Sequence, residues 1–396
     1  MQSNPETTAV ILGAARTVMG SFQGKLTNYT TPQLGSKAIQ QALSNTGLTP
    51  AQLKSSDIET EVFMGCVLQA GLGQAPARQA ALGAGLDQST PCSTVNKVCG
   101  SGMQAAIFAI QSILSGHSGL FITGGMESMS NAPYLLDKAR KGMRMGHGQI
   151  KDAMFLDGLE DAYDKSKLMG VFAENTAEKY KLSRQTQDEF ALHSLEKAQN
   201  AHKNGSFKPE LATFPELDQD ELPTQAKPEK IPHLKPAFRE NGTVTAANSS
   251  GLSDGASALI ISSLSTAQKL GIKPLARILG HAGHAHDPAW FTTAPVSAIQ
   301  KLCAKLGQKT SDFDLFEINE AFAVVTLAAM QELSLNPAQV NIYGGACALG
   351  HPIGASGSRI VTTLLHALKN TGKNRGIASL CIGGGEALAL ALEILA

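Results

Sequence analysis

The sequence lacks an excess of charge of either sign. Its 33 Lys and Arg residues balance 33 Asp and Glu residues, whereas a general binder of nucleic acids or anionic membranes needs a basic surface. We therefore expect no nucleic acid and no membrane among its partners. The sequence contains no run of about eighteen apolar residues, and its first residues lack the basic, apolar and cleavage regions of a secretory signal. These absences favour a soluble, cytoplasmic protein.

Cysteine is scarce and follows no pattern. The six cysteines include no Cys-x-x-Cys pair and no spacing typical of a disulfide framework. A chain of 396 residues can bury a large core without covalent cross-links. The glycine fingerprint of dinucleotide sites is also missing after the first predicted strand, so we set NAD binding aside. The cysteines are expected to be reduced thiols.

Segments of the second half of the chain repeat segments of the first. Three pairs correspond: 37–66 with 297–320, 10–20 with 277–287, and 100–125 with 354–385. Members of the third pair begin with glycines, continue as an apolar helix pattern and end in a short strand that runs into glycines. This pattern predicts a duplicated α/β unit. Residues of about 125–250 have no counterpart, and the prolines between 223 and 236 break regular structure there, which indicates an inserted loop domain.

Cys99 stands in the stretch TVNKVCGSGMQA, directly before one of these predicted helices. The first turn of a helix favours an anion, because its N–H groups are unpaired and its dipole is positive there. A thiolate in such a place, with a basic partner, has a lowered pKa and is a nucleophile at neutral pH. Gly100 and Gly102 would let a bulky thioester approach the backbone closely. The alternative is that Cys99 only fills space in the core.

The second half of the chain has reactive residues at the equivalent positions. His351, in GGACALGHPIGASG, precedes the matching helix, and Cys381, in CIGGGEA, ends the matching strand. If the duplication brings equivalent loops face to face, these two side chains and Cys99 converge in one cleft. Asn319, in FEINEAF, follows a strand pattern and can direct its amide into the same cleft. Taken singly, each has a structural alternative: a hydrogen-bonded histidine, an inert core thiol and a turn asparagine.

Several blocks of sequence can be compared with known families. They are NKVCGSGMQA, GGMESMS, the Ala-Glu-Asn of 173–175, GTVTAANSSGLSDGA, NEAF, GGACALGHPIGASG and CIGGGEA. In this order, along nearly the whole chain, they resemble the thiolase family, most closely its acetyl-CoA acetyltransferase branch. The resemblance implies the thiolase fold: duplicated α/β halves in a layered αβαβα arrangement with an inserted loop domain. Residues 1–122 and 253–274 would form the first half, 275–396 the second, and 123–252 the loop domain.

The resemblance also implies an activity, that of an acetyl-CoA C-acetyltransferase. Two acetyl-CoA molecules would condense to acetoacetyl-CoA and CoA through an acetyl-Cys99 intermediate. His351 would activate Cys99, and Cys381 would take a proton from the methyl group of the second acetyl-CoA. One oxyanion site would consist of His351 and a water held by Asn319, and another of the backbone N–H groups of Cys99 and Gly383. The reaction needs no cofactor and no metal, because the CoA thioesters are its substrates.

By the same resemblance, the substrate would be contacted by Ser250, Phe238, Met169 and Leu168. Residues 144–161 match the region through which the family forms homotetramers.

Two departures from the family pattern concern substrate specificity. Leu168-Met169-Gly170 stands where many acetoacetyl-specific relatives have His-Met-Gly, and the loop at 217–235 is shorter than usual. The chain-length preference, the direction of the reaction and the contacts to the CoA nucleotide therefore stay open.

Two alternatives stay open as well. The protein could be a broader 3-ketoacyl-CoA thiolase of fatty-acid degradation, or a non-catalytic acyl-CoA or lipid-binding relative. A decarboxylating condensing enzyme would lack the second thiol, so Cys381 argues against it. The histidines of HAGHAHD, at 281–287, are spaced as zinc ligands can be, but their place in the duplication favours an ordinary connection after a strand.

Overall fold

The computed structural model describes residues 4–395 of the protein. Its strands are β1 (Ala9–Thr17), β2 (Gly20–Ser21), β3 (Thr60–Gly65), β4 (Cys92–Val95), β5 (Leu120–Ser128), β6 (Tyr134–Leu135), β7 (Lys151–Asp152), β8 (Leu211–Ala212), β9 (Ser253–Ser263), β10 (Ala276–Ala285), β11 (Leu315–Ile318), β12 (Arg375–Ile382) and β13 (Glu386–Ile394). Its helices are α1 (Thr31–Ser44), α2 (Pro50–Ser55), α3 (Pro76–Gly83), α4 (Ser101–Leu114), α5 (Met169–Lys179), α6 (Arg184–Lys203), α7 (Glu221–Gln225), α8 (Leu264–Lys269), α9 (Ala294–Leu306), α10 (Ala323–Leu333), α11 (Ala346–Leu349) and α12 (Ile353–Thr371).

The main sheet consists of two copies of one topology. Its strands follow the order β11-β12-β13-β10-β1-β9-β5-β3-β4, and β1 and β10 pair antiparallel where the copies meet. In the first copy β9 lies antiparallel between β1 and β5, and β3 runs parallel to β5. In the second copy β13 lies antiparallel between β10 and β12, and β11 runs parallel to β12. The predicted duplication is therefore confirmed.

Helices α4 and α12 form the central layer between the two copies of the sheet. They share one apolar core with strands of both halves, in which Met103 and Ile107 of α4 lie with Ile360 and Leu364 of α12. Helices α1 and α3 cover the outer face of the first half, and α9 and α10 cover that of the second. The result is the predicted αβαβα layering. Strands β9 and β13 are buried along nearly their whole length because helices cover both faces.

The two central helices touch backbone to backbone, and glycines make this contact possible. A Cβ atom added to Gly102 of α4 would lie 2.8 Å from Ser358 Oγ, and one added to Gly357 of α12 would lie 2.5 Å from Met103 N. Any larger residue would push the helices apart. Gly102 therefore serves the packing of two helices, which is a different purpose from the thioester approach that the sequence suggested.

The segment between β5 and β9 carries β6 to β8 and α5 to α7 and packs back onto the sheet. The buried Arg16 of β1 joins the two parts, because its guanidinium donates to Glu210 at 2.5 Å and to Asp220 at 2.7 and 2.9 Å. The predicted loop domain ends where β9 begins, whereas its predicted start at residue 123 falls inside β5. Among the helices of residues 4–395, none combines the length and the hydropathy that a bilayer crossing requires.

Candidate active site

Cys99 lies in a strained turn between β4 and α4. The preceding residue, Val98, has φ of +47°, a left-handed conformation that is unfavourable for a β-branched side chain. Ser101, the first residue of α4, braces this turn: its hydroxyl accepts from the N–H of Lys97 at 2.9 Å and donates to the carbonyl of Val98 at 2.6 Å. The turn therefore holds Cys99 at the start of α4.

The second predicted thiol, Cys381, meets Cys99 from the opposite half. It lies near the end of β12, and the charge of an ionised Cys99 acts directly on it. Gly383, two residues further on, directs its backbone N–H at the Cys99 sulfur, as does the N–H of Cys99 itself. The structure thus brings together the two thiols and the two N–H groups that the sequence analysis assigned to one site.

Burial raises the pKa of the Cys99 thiol to about 11, and the two backbone N–H groups offset only part of this effect. The direction is opposite to the predicted lowering, because desolvation of the sulfur is the largest effect and the nearby carboxylate of Glu127 adds to it. Burial and the nearby Cys99 also raise the pKa of Cys381 well above its ordinary value. Both thiols are neutral at pH 7, so a base must remove a proton before either can react.

His351 is the candidate for such a base. It lies buried between α11 and α12, and Ile353 two residues later packs in the same apolar cluster as Cys99. Nδ1 lies 2.5 Å from Ser356 Oγ, whereas Nε2 has no hydrogen-bond partner among the described residues. Burial and the charge of Arg359 lower the pKa of His351 to about 3. The ring is therefore neutral, with one nitrogen free to accept a proton.

Asn319 follows β11 and lies beside the imidazole. Its Oδ1 accepts from the Arg359 guanidinium at 3.2 Å, and its Nδ2 lies 3.5 Å from His351 Nδ1. The bond from Arg359 fixes the orientation of the amide, so that Nδ2 is the atom that faces the imidazole. The buried Arg359 is itself 3.5 Å from a carboxylate oxygen of Glu317. The amide of Asn319 is thus held as a hydrogen-bond donor at the site.

Glu127 of β5 hydrogen-bonds to the backbone of both halves close to the site. Its carboxylate accepts from the backbone N–H groups of Val67 and Leu68 at 3.0 and 3.1 Å, and from that of Gly354 in α12 at 2.9 Å. Burial raises the pKa of Glu127 to about 7, against these hydrogen bonds. This carboxylate therefore anchors the helix that follows His351.

Three of these residues have no predicted role from the sequence: Glu127, Ser356 and Arg359. Glu127 and Ser356 stand inside the blocks GGMESMS and GGACALGHPIGASG, and Arg359 follows the second block by two residues. A charged residue in an otherwise apolar helix pattern was the available signal for Arg359, because a buried charge needs a partner. The hydrogen bonds of Ser356 and Glu127 depend on how the chain folds and have no such signal.

The predicted substrate contacts lie on one side of Cys381. Met169 and Phe238 belong to the same apolar cluster as Cys381, and Met169 Cε lies 3.5 Å from the place that a Cβ of Gly383 would occupy. Leu168 directly precedes α5 and is partly buried. Ser250 is also partly buried, and its N–H donates to the carbonyl of Ala321 at 3.0 Å. The structure thus places Met169 and Phe238 near the second thiol, Leu168 directly before Met169 in the chain, and Ser250 beside the NEAF loop.

Comparison with known proteins identifies the family. Residues 9–265 match the family model "Thiolase, N-terminal domain", and residues 272–394 match "Thiolase, C-terminal domain". The chain belongs to the thiolase family. Both predictions, the family and the thiolase fold, are confirmed. The matches adjoin near the β9–β10 connection, so each thiolase model covers one copy of the duplicated topology, the first with the segment inserted in it.

Individual thiolases are similar over the full length of the chain. A protein of Dictyostelium discoideum named probable acetyl-CoA acetyltransferase is 48% identical over 98% of this chain and 94% of its own. The acetyl-CoA acetyltransferase of Cupriavidus necator is 45% identical over 98% of this chain and 99% of its own. The crystal structure of the Acat5 thiolase from Ascaris suum in complex with coenzyme A superimposes with a TM-score of 0.92, at 41% identity, and covers 98% of this chain and 100% of that one.

Proposed function

We propose that the protein is an acetyl-CoA C-acetyltransferase, which condenses two acetyl-CoA molecules to acetoacetyl-CoA and CoA through an acetyl group on Cys99. One observation carries the proposal: two thiols and two backbone N–H donors lie together where the halves join, and His351, whose Nε2 has no partner among the described residues, comes two residues before Ile353, which packs in the same apolar cluster as Cys99. The names of the relatives from Dictyostelium discoideum and Cupriavidus necator, and the coenzyme A held by the Ascaris suum thiolase, support it.

The first half-reaction transfers an acetyl group to Cys99. His351 Nε2 takes the proton of the Cys99 thiol, and the sulfur attacks the thioester carbon of acetyl-CoA. The developing oxyanion lies against the N–H groups of Cys99 and Gly383, each worth about 2.7–4 kcal/mol of barrier. The bond between carbon and the CoA sulfur then breaks, and the CoA thiolate takes the proton of Cys381. This leaves a Cys381 thiolate beside a His351 imidazolium.

The second half-reaction forms the carbon–carbon bond. The Cys381 thiolate removes a proton from the methyl group of a second acetyl-CoA, and the resulting enolate oxygen accepts from His351 Nε2–H and from a water on Asn319. The enolate carbon attacks the acetyl carbon on Cys99. Cys99 leaves as a thiolate and regains its proton from His351. All four side chains return to their starting state, and every proton is transferred between substrate and protein groups without a cofactor.

Mass spectrometry of the acyl-enzyme tests the proposal. Incubation with acetoacetyl-CoA should add one acetyl group to the peptide that contains Cys99. Cys92, a partly buried thiol seven residues earlier on β4, provides the matched control: Cys92→Ser should keep the adduct and Cys99→Ser should lose it. An unmodified Cys99 in a protein that binds CoA tightly would instead establish the non-catalytic acyl-CoA binder.

Leu168 is the basis for testing chain length. We propose that acetoacetyl-CoA is the preferred cleavage substrate. Leu168 places an apolar side chain directly before α5, at the position where a histidine would make a polar contact with the thioester. This apolar side chain is the one feature that favours the alternative, a preference for longer acyl chains. A comparison of kcat/KM for acetoacetyl-CoA and a medium-chain 3-ketoacyl-CoA decides between the two, and a preference for the longer substrate would favour the broader 3-ketoacyl-CoA thiolase.

The assembly belongs to the same proposal. The segment around the β6–β7 hairpin exposes Tyr134, Met145, Ile150 and Tyr163 by 69%, 98%, 71% and 73%, and apolar side chains exposed in this way are typical of an interface. We propose that this segment joins the subunits of a homotetramer. Light scattering during size-exclusion chromatography measures the mass, and a mass of one chain would contradict the assembly. The cytoplasmic location stays a prediction.

A further inference from the structure

Ser356 touches the candidate base and has no role in the scheme above. It lies in the first turn of α12 and is fully buried. Its hydroxyl oxygen is 2.5 Å from His351 Nδ1 and 3.0 Å from the carbonyl oxygen of Pro352. The Pro352 carbonyl also accepts the backbone N–H groups of Ala355 and Ser356. Two hydrogen-bond contacts therefore share one hydroxyl.

The number of hydrogens restricts how these contacts can be made. A serine hydroxyl has one hydrogen to donate, and a carbonyl oxygen can only accept. The contact between Ser356 and Pro352 therefore uses the hydroxyl hydrogen. The contact between Ser356 and His351 must then use a hydrogen on the imidazole, which places that hydrogen on Nδ1.

The opposite tautomer fits the same atoms less well. With the hydrogen on Nε2, the Ser356 hydroxyl would have to turn to Nδ1 and give up its bond to Pro352. The Asn319 amide could then donate to Nδ1 as well, but at 3.5 Å this contact is at the limit of a hydrogen bond. With the hydrogen on Nδ1, both short contacts are hydrogen bonds and the amide of Asn319 stays free to hold a water.

We propose that Ser356 is a positioning residue that holds His351 as the Nδ1–H tautomer and thereby keeps Nε2 free to take the proton of Cys99. The role in catalysis rests on the proposed function, whereas the tautomer does not. When Nε2 gains the proton, the bond from Nδ1–H to Ser356 becomes charge-assisted and stabilises the imidazolium. Ser356 thus lowers the energy of the thiolate–imidazolium pair in a site whose burial opposes it.

Ser358 offers a matched control. It is in the same helix and equally buried, but its hydroxyl contacts only the carbonyls of Ala355 and Ser257, at 3.0 and 3.4 Å. Ser356→Ala and Ser358→Ala therefore each remove one buried hydroxyl, and only the first removes the partner of His351. Ser356→Thr restores a hydroxyl at the same position.

Two measurements test the proposal. Nitrogen NMR of the protein labelled with ¹⁵N-histidine, with the His351 signals assigned by their loss in His351→Gln, should show Nδ1 protonated and Nε2 bare in the wild type and in Ser358→Ala. Alkylation of Cys99 by iodoacetamide, followed by peptide mass spectrometry, reports the thiolate without any acyl-CoA. At pH 7 it should be about 10- to 100-fold slower in Ser356→Ala, as expected for a lost hydrogen bond to a charged group.

The pH profile separates positioning from a structural role. The Cys99 thiol ionises without a base as the pH approaches its pKa of about 11, so the deficit of Ser356→Ala should shrink between pH 7 and pH 10, and Ser356→Thr should recover part of the rate. A hydrogen on Nε2 in the wild type would overturn the proposal, as would a deficit that Ser358→Ala shares or that does not change with pH. Absence of the acetyl adduct in the wild type would refute the proposed function and leave the tautomer to be decided by NMR.

Discussion

The contact between α4 and α12 leads to a prediction about both stability and rate. Gly357→Ala would place a methyl group 2.5 Å from the backbone nitrogen of Met103 and 2.9 Å from its Cβ. Ordinary contacts begin at about 3.4 Å, so the helices must separate by roughly 0.9 Å. Neither neighbouring atom can rotate away, because both are fixed to the helix backbone. The substitution therefore moves the helix that follows His351 away from the helix that follows Cys99.

The expected magnitudes follow from this displacement. Overpacking against backbone costs about 3 kcal/mol, and the better helix propensity of alanine returns about 1 kcal/mol, which leaves a loss of about 2 kcal/mol in the free energy of unfolding. For a chain of 396 residues the melting temperature should fall by about 2–3 °C. A displacement near 1 Å between base and nucleophile should lower the rate of Cys99 acetylation about 100-fold.

Gly283→Ala is the control for Gly357→Ala. Gly283 lies in β10 with an ordinary backbone conformation, and a Cβ there would meet its nearest neighbour at 3.5 Å. Stopped-flow acetylation and calorimetry of both variants test the prediction. A Gly357→Ala protein that acetylates Cys99 at the wild-type rate would refute the reasoning. So would a Gly357→Ala protein whose acetylation rate and melting temperature both equal those of Gly283→Ala.

Three further predictions concern buried charges and the second thiol. Asp220→Asn removes one of the two carboxylates that balance the charge of Arg16, and it should lower the free energy of unfolding in urea by about 3–5 kcal/mol at pH 7. Because the pKa of Asp220 is lowered in the folded protein, the difference between variant and wild type should shrink as the pH falls below about 4. A difference that stays constant with pH would contradict this prediction. The pKa of Glu127 is raised to about 7 in the folded protein. The free energy of unfolding of the wild type, relative to that of Glu127→Gln, should therefore decline from pH 4.5 to pH 7 and stay level above pH 7. Free energies of the two proteins that change in parallel with pH would contradict this prediction. Cys381→Ser should still acetylate Cys99 but lose deuterium from the methyl group of labelled acetyl-CoA about 10²–10⁴-fold more slowly; unchanged exchange would assign the base elsewhere.

The fold could be predicted from the sequence because the chain carries its pattern twice. The pair 37–66 and 297–320 became α1 to β3 and α9 to β11, which occupy matching places in the two copies. Glycines before a helix and after a strand marked the ends of elements, where loops of the two halves meet. The prediction that Cys99, His351 and Cys381 converge rests on that symmetry.

The electrostatics of the site could not be predicted in this way. The position of Cys99 before a helix suggested a lowered pKa, but the backbone N–H groups of Cys99 and Gly383, which do lower it, are outweighed by the loss of solvent around the sulfur. Desolvation depends on every element packed around the thiol, including residues more than 250 positions away. The hydrogen-bond partners of Asn319 and Glu127 could not be predicted either, because each of these hydrogen bonds joins two segments of the chain that only the fold brings together.

The raised pKa of the nucleophile changes what the site must accomplish. A thiol that is neutral at rest reacts only slowly with other electrophiles in solution, because it is a thiolate only for the fraction of time in which a base holds its proton. The base is itself neutral, because burial lowers the pKa of His351 to about 3. Charge separation between Cys99 and His351 therefore needs the groups that receive it: the N–H of Gly383 on one side and Ser356 on the other. Gly383 directly follows β12 and Ser356 lies in α12, both in the second half, whereas Cys99 belongs to the first. In the proposed scheme the reactivity therefore arises at the junction of the halves.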